Sequence, residues 1–450
     1  MTKRAISGII RLCLRRGSAS QILLSRINKF MLDIKFIRQN PEKVKEACRK
    51  KRVEVDINRL LEVDKKRREL LQAIEDMSAK KNRASEEIKK ASQEEKSKII
   101  LEMQELDQNN DRLDKNIKEA EEEFNKLMLQ IPNLPSDEVP TGKDDRENVV
   151  LREWGKKTEF GFKIKDYMDV AQKLDLIDTE RAGKTSGSRF GYLKREAVLL
   201  EFALISLVFN KLCKEKFIPI VPPVMLKPEM ARGMGYLEQT DEQEAYYLQK
   251  DNLYLTGTSE QSLGSMHADE IFDIKNLPRR YAGFSTCFRR EAGAYGKDTK
   301  GILRVHQFDK LEMFSFCTPE ESKKEHQFLL EMEERLMQAL KIPYRVLQIC
   351  TGDLGRPAAV KYDIEAWVPS ENRYRETHST SNCTDFQARR LNIRYKDKSG
   401  KLNFVHTLNG TAFAIGRTLI AIIENYQQKD GSINVPKVLQ KYVGFKRIKR

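Results

Sequence analysis

Residues 286–316 read TCFRREAGAYGKDTKGILRVHQFDKLEMFSF, the pattern of two strands joined by a long loop. The first strand ends in Arg289 and Glu291, glycines at 293, 296 and 301 mark the loop, and a second strand returns. By the period-two rule Arg304, His306, Phe308, Lys310 and Glu312 share one face of that strand, while Leu303, Val305, Leu311 and Met313 point the other way. One face therefore presents two arginines, two glutamates and an aromatic ring to a single ligand. Arginine's planar fork suits phosphate oxygens whose charge changes during reaction, and an aromatic beside it can stack on a base. A salt-bridged surface hairpin would explain the charges but not the glycine-bearing loop.

The rest of the C-terminal half has the same mixed character. Strand-like alternations (281–288, 303–316, 359–368, 404–413) are separated by helical stretches (194–215, 319–341, 415–427), with no internal repeat. This order predicts an α+β domain over 154–450, an antiparallel β-sheet flanked by helices. Upstream, apolar residues recur at alternating spacings of three and four from Leu60 to Ala91 and again from Ile99 to Ile131, with polar breaks at Arg67, Lys81 and Asn110. Such a heptad seam, free of Pro and Gly, predicts two long helices. Their matched lengths, and the polar stretch 92–98 between them, predict an antiparallel two-helix coiled-coil arm over 57–131 within an N-terminal domain of residues 31–131. Prolines 132, 135 and 140 then mark 132–153 as a linker.

The net charge of +15 suggests nucleic acid less than it first promises. Residues 1–30 hold seven basic and no acidic side chains, and the last five residues add four more basic ones, which leaves +4 for the body. The arm carries 16 basic and 18 acidic groups, the basic ones concentrated on its first helix (10 of them against 7 acidic in 57–91). That helix, with Lys65-Lys66-Arg67-Arg68, is the more suitable face for a phosphate backbone. Seven scattered cysteines without a CxxC fit a reducing cytoplasm, and no zinc is expected. The longest apolar run, Ala197–Phe209, is interrupted by Glu201 and too short for a bilayer, so no membrane partner is expected. Residues 1–30 read as a basic, disordered extension; a transit peptide, and with it an organellar location, is the alternative.

Two nucleotide-binding look-alikes are set aside as ordinary loops. Gly233-Met-Gly235-Tyr-Leu-Glu238 has Glu in place of the third glycine, and Gly183-Lys184-Thr185 lacks the upstream glycine of a phosphate loop.

The 286–316 segment resembles motif 2 of the class II aminoacyl-tRNA synthetases, and its wording (FRxEAG…RVHQFDKxEM) is similar to that of bacterial-type seryl-tRNA synthetases. The resemblance runs from Met31 to the C-terminus. It includes Ile131-Pro-Asn-Leu-Pro135, Thr258-Ser259-Glu260, Thr384-Asp-Phe-Gln-Ala-Arg-Arg390 and Leu408-Asn-Gly-Thr-Ala-Phe-Ala-Ile-Gly-Arg417. It implies serine activation with ATP to seryl-adenylate and pyrophosphate, then transfer to tRNA(Ser), and also to tRNA(Sec) where that exists. It implies that Arg289 grips the α-phosphate, that Glu291 contacts the adenosine end, and that Phe308 and Arg417 sandwich adenine, with Arg289, Glu291 and Arg417 as the catalytic set. Glu376 and Ser379 would hold Mg2+, within an ATP-binding run that adds Arg290, Thr377 and His378. Thr258, Ser259, Glu260, Arg289, Glu312, Asn409 and Thr411 would form the serine site. The arm would meet the tRNA, and Pro223 would lie at a homodimer interface. Arg290, His378 and Thr411 depart from the commonest family wording; Thr411 keeps the hydroxyl of the usual Ser.

The implied chemistry suits these residue types. Serine's carboxylate is already ionised at neutral pH, so its attack on phosphorus needs alignment and charge neutralisation rather than a general base; His306 is expected to be structural. Two other readings compete: a relative that makes an adenylate but charges a carrier protein, and a non-catalytic RNA-binding homologue. The long arm argues against the first. The full set Arg289, Glu291, Phe308, Glu312, Glu376 and Arg417 argues against the second.

Overall fold

The computed structural model describes residues 32–237, 244–292 and 300–450. The basic extension 1–30, the loop glycines 293 and 296, and Glu238 lie outside the described residues. The chain forms two units, 32–132 and the remainder from Asn133.

The N-terminal unit begins with two short helices, α1 (Ile34–Gln39) and α2 (Pro41–Lys50), followed by α3 (Ile57–Lys90) and α4 (Gln93–Gln130). At 1.5 Å per residue the long pair reaches about 50 Å or more. Seam positions Leu60, Val63 and Arg67 of α3 and Ile117, Ala120 and Phe124 of α4 are buried, while towards the end of α4 Met128 is buried and the expected Leu127 only half-buried. The polar break at Arg67 is accommodated by its own chemistry. Its guanidinium lies 4.8 Å from the centre of the Phe124 ring, with Asp64 and Glu121 within 4 Å.

The reversal is tighter than the polar stretch 92–98 suggests. Only Ala91 and Ser92 separate the end of α3 from Gln93, which begins α4. Ser92 and Glu95 form a reciprocal capping box, each side chain bonding the other's backbone N–H, and this starts α4 at once.

The second unit is built on one eight-stranded sheet of β1 (Val149–Trp154), β2 (Ile218–Ile220), β3 (Arg279–Phe288), β4 (Gln307–Cys317), β5 (Tyr344–Gln348), β6 (Val360–Val368), β7 (Arg373–Asn382) and β8 (His406–Ala414). Their spatial order is β1-β5-β6-β7-β8-β4-β3-β2, antiparallel throughout except for the β2–β3 pair. The helices that matter here are α5 (Glu196–Leu212), α6 (Ser259–Ser265), α7 (Ser322–Leu340), α8 (Phe386–Leu391) and α9 (Ile415–Tyr426). Leu200 and Leu204 of α5, Leu329 and Leu336 of α7, and Leu419 and Ile422 of α9 pack with Leu311, Met313 and Ile364 of the sheet in one core. That core fills one face of the sheet.

Three sequence expectations change. The segment 132–153 is not simply a linker, because its last residues begin edge strand β1, paired with β5. Asn133 is also pinned within the second unit, its amide donating to the carbonyls of Pro357 and Cys383 at 2.8 Å each. Gly183-Lys184-Thr185 lies inside a helix, Thr179–Ser186, not a loop. Strand β4 starts at Gln307, so Arg304 and His306 precede it. Among the described residues no helix is long and apolar enough to cross a membrane.

Candidate active site

The other face of the sheet carries a cavity of about 390 Å3. From β4 it receives Phe308, Lys310 and Glu312, the alternation expected from sequence, while Leu311 and Met313 enter the core. Two β-bulges set the rest of its wall. In β7, Glu376 pairs with Glu365 but His378 pairs with Ile364, so Thr377 is an extra residue. The bulge shifts the side-chain phase, and Glu376 and Ser379, three residues apart, both reach the cavity. In β8, Ala412 is the extra residue, and Asn409, Thr411 and Ala414 line the wall.

Arg289 follows β3 directly. Its Nε donates to the Gly257 carbonyl at 3.1 Å and its guanidinium lies 5.3 Å from the centre of the Phe308 ring. Glu291, at positive φ, accepts from Arg304 at 2.8 Å, which ties the two sides of the loop together. At the loop's far end Gly301 (φ +73°) passes so close to Tyr167 that a Cβ would lie 1.8 Å from its hydroxyl oxygen. That hydroxyl accepts from the Ile302 N–H at 2.9 Å and so fixes where the chain returns to the sheet.

Arg417, in the first turn of α9, lies 3.3 Å from a Glu376 carboxylate oxygen and donates to the Glu376 carbonyl at 3.2 Å. Desolvation opposes ionisation of Glu376, but Arg417, Lys361 and Arg289 outweigh it and hold the carboxyl at about 2. An ionised carboxylate and a serine hydroxyl lining the same cavity are hard oxygen donors, a donor set that fits Mg2+.

The cavity is also lined by Thr258, Glu260 and Glu312. Thr258 caps α6, accepting from the Glu260 N–H at 3.2 Å and donating to Glu312 at 3.4 Å. Glu312 is 2% exposed and ion-paired with Lys310. Burial raises the Glu260 carboxyl, with the Glu312 charge adding to it.

Of the residues named from sequence, Thr258, Glu260, Arg289, Glu291, Phe308, Glu312, Glu376, Thr377, Ser379, Asn409, Thr411 and Arg417 all line this cavity. Three do not. Ser259 turns to the Gly283 carbonyl at 3.5 Å. Arg290 points outward, its guanidinium 5.9 Å from the centre of the Tyr246 ring. His378 is turned into the core by the bulge at Thr377, against Phe413, and burial lowers its pKa to about 4. His306 stays out of the cavity, its Nδ1 3.0 Å from the Arg289 carbonyl.

The sequence reading missed Gly235 and Tyr236, which line the wall although their segment was set aside as an ordinary loop, and also Lys361, Asp353 and Arg356. Gly235 (φ +93°) serves close packing, since a Cβ there would lie 2.7 Å from the Phe386 ring. No local pattern marks Tyr236; its neighbours in the cavity come from distant parts of the chain.

This cleft lies mainly in the part of the chain that matches the core of the class II aminoacyl-tRNA synthetases. Residues 245–426 match the family described as tRNA synthetase class II core domain (G, H, P, S and T), and residues 31–135 match the seryl-tRNA synthetase N-terminal domain. The serine--tRNA ligase of Dictyoglomus turgidum is 46% identical, over 93% of this chain and 99% of the relative; that of Treponema denticola is 44% identical, over 93% and 100%. A seryl-tRNA synthetase from Pyrococcus horikoshii, solved with ATP, superimposes with a TM-score of 0.86 at 41% identity over 93% of this chain and 99% of that one. The chain belongs to the seryl-tRNA synthetase family.

Proposed function

We propose that this chain is a serine--tRNA ligase that activates L-serine with ATP and transfers it to tRNA(Ser). The observation that carries this reading is that one cavity brings Arg289 and the Phe308 ring together with the buried carboxylates Glu260 and Glu312, an arrangement that suits a phosphate, a base and an amino acid. Arg289 aligns the α-phosphate and takes up its growing charge. Glu291 contacts the adenosine end, and Phe308 and Arg417 enclose adenine. Thr258, Glu260, Glu312, Asn409 and Thr411 hold serine so that its carboxylate faces the phosphorus, and alignment replaces acid–base catalysis. Glu376 and Ser379 would hold Mg2+, which would supply charge neutralisation on the phosphates.

The arm meets the tRNA through the basic face of α3. Exposed Leu199, Phe202 and Val221, on and near α5, support a homodimer interface, as does the nearby Pro223. The reading places the protein in the cytoplasm, consistent with six described cysteines none of which forms a disulfide. The test is serine-dependent ATP–pyrophosphate exchange followed by charging of total tRNA. Exchange without charging would favour a carrier-protein enzyme, and neither activity would leave a non-catalytic homologue.

A further inference from the structure

Beneath Glu260 runs a chain of buried hydrogen bonds to which the roles above give no task. Glu260 is 6% exposed, and each of its oxygens takes one donor. The Tyr236 hydroxyl donates to Oε2 at 3.0 Å, and the Gln387 amide Nε2 donates to Oε1 at 3.0 Å. Gln387, on α8, is wholly buried; the same Nε2 donates to the Met234 carbonyl at 3.1 Å, while its Oε1 accepts from Thr407 Oγ1 at 2.7 Å.

This arrangement admits one amide orientation. A backbone carbonyl can only accept, so the nitrogen must face Met234, and the same nitrogen then faces Glu260. Glu260 is thereby held as an acceptor, with its remaining lone pairs available to the cavity. The charged groups around it are Glu312 and Lys310 from β4, with Arg289 beyond Tyr236.

We propose that Gln387 and Tyr236 are positioning residues for amino-acid selection, fixing the Glu260 carboxylate as an acceptor for a donor group of the bound amino acid. The proposal rests on the assignment of Glu260 to the serine pocket. It explains why a glutamine on a separate helix, 127 residues away in sequence, is buried against that carboxylate.

The test uses the full-length protein in serine-dependent pyrophosphate exchange. Gln387→Glu keeps the shape but sets an acceptor against two acceptors, a conflict that only a bound proton relieves. Its kcat/KM for serine should fall about 10- to 100-fold at pH 8, the scale of one lost hydrogen bond to a charged group, with the KM for ATP within about twofold. Activity relative to the unmodified protein should recover as the pH is lowered toward 6. Gln387→Leu should lose activity without that recovery, and Tyr236→Phe should raise the serine KM about tenfold.

Identical losses for Gln387→Glu and Gln387→Leu at every pH would overturn the proposal, as would equal effects on serine and ATP. Should the Gln387 variants not fold, Tyr236→Phe decides alone, and an unchanged serine KM there overturns it. Absence of serine-dependent exchange in the unmodified protein would instead refute the underlying functional reading.

Discussion

Replacing Glu312 by Gln separates what this residue does for folding from what it does for serine. The carboxylate is 2% exposed, pairs with the 8% exposed Lys310, and accepts from Thr258 at 3.4 Å. The amide keeps the volume but removes the charge, leaving a buried ammonium without its partner. Breaking a buried pair from one side costs about 3–5 kcal/mol, so a large loss of stability is expected. Separately, the substrate loses a hydrogen bond to a charged group, worth about 1.5–3 kcal/mol, or roughly a 10- to 150-fold fall in kcat/KM for serine. Pyrophosphate exchange at saturating ATP, titrated with serine, reads the second effect, and denaturant unfolding reads the first. Adding Lys310→Met to Glu312→Gln removes the orphaned charge and should restore much of the stability without restoring serine use. Serine kinetics within about twofold of normal in the single variant, or recovered in the double variant, would refute this account of the pocket.

Three further outcomes are expected. Burial lowers the pKa values of His326 and His378 to about 4, below the ordinary 6.5, so the unfolded chain binds more protons between those values. Stability should therefore fall as pH drops from about 6.5 toward 4, by roughly 2 kcal/mol per histidine at pH 5, and His378→Gln should flatten that slope in urea titrations across pH. Glu376→Gln should raise the Mg2+ concentration needed for half-maximal exchange by at least about tenfold while leaving the serine KM near normal, as titration of Mg2+ at fixed ATP would reveal. Phe124→Ala opens the arm where Phe124 covers Arg67; it should cost about 3–5 kcal/mol of local stability and abolish tRNA charging, while exchange, assayed in parallel, persists.

What was legible in the sequence follows from the range over which each signal acts. The helical arm and strands β3, β4, β6 and β8 carry repeats of 3.5 or 2 residues set by one covered face, and such repeats are local. Strand β1 escaped notice because all six of its residues are exposed and no alternation marks it. The placement of His378 failed for a subtler reason. The resemblance implied a continuous run from Glu376 to Ser379 at the ATP site, but the bulge at Thr377 shifts the side-chain phase and turns His378 to the opposite face. Tyr236 and Gln387 were invisible as site residues because their significance lies in meeting Glu260, and only the folded topology brings them together. The capping box at Ser92 and Glu95, by contrast, could have been read directly, and would have placed the reversal correctly.

The charge balance of the cavity bears on how the site would handle ATP. Its described lining holds six cationic side chains (Arg289, Arg304, Lys310, Arg356, Lys361 and Arg417) against five anionic ones (Glu260, Glu291, Glu312, Asp353 and Glu376), and no histidine. Several of the cations are already engaged: Arg304 by Glu291, Lys310 by Glu312, Lys361 by Asp363 and Arg417 by Glu376. A triphosphate brings about four negative charges into such a site, far more than the small surplus can neutralise. A divalent cation entering with the nucleotide would cut that deficit from about three charges to about one. The Glu376 carboxylate, held at about 2 by Arg417, Lys361 and Arg289, would then be an ionised ligand at neutral pH. The lining thus combines positively charged groups that orient with negative ones suited to retain a metal, and with the nucleotide bound it stays near neutrality only if a divalent cation is bound as well.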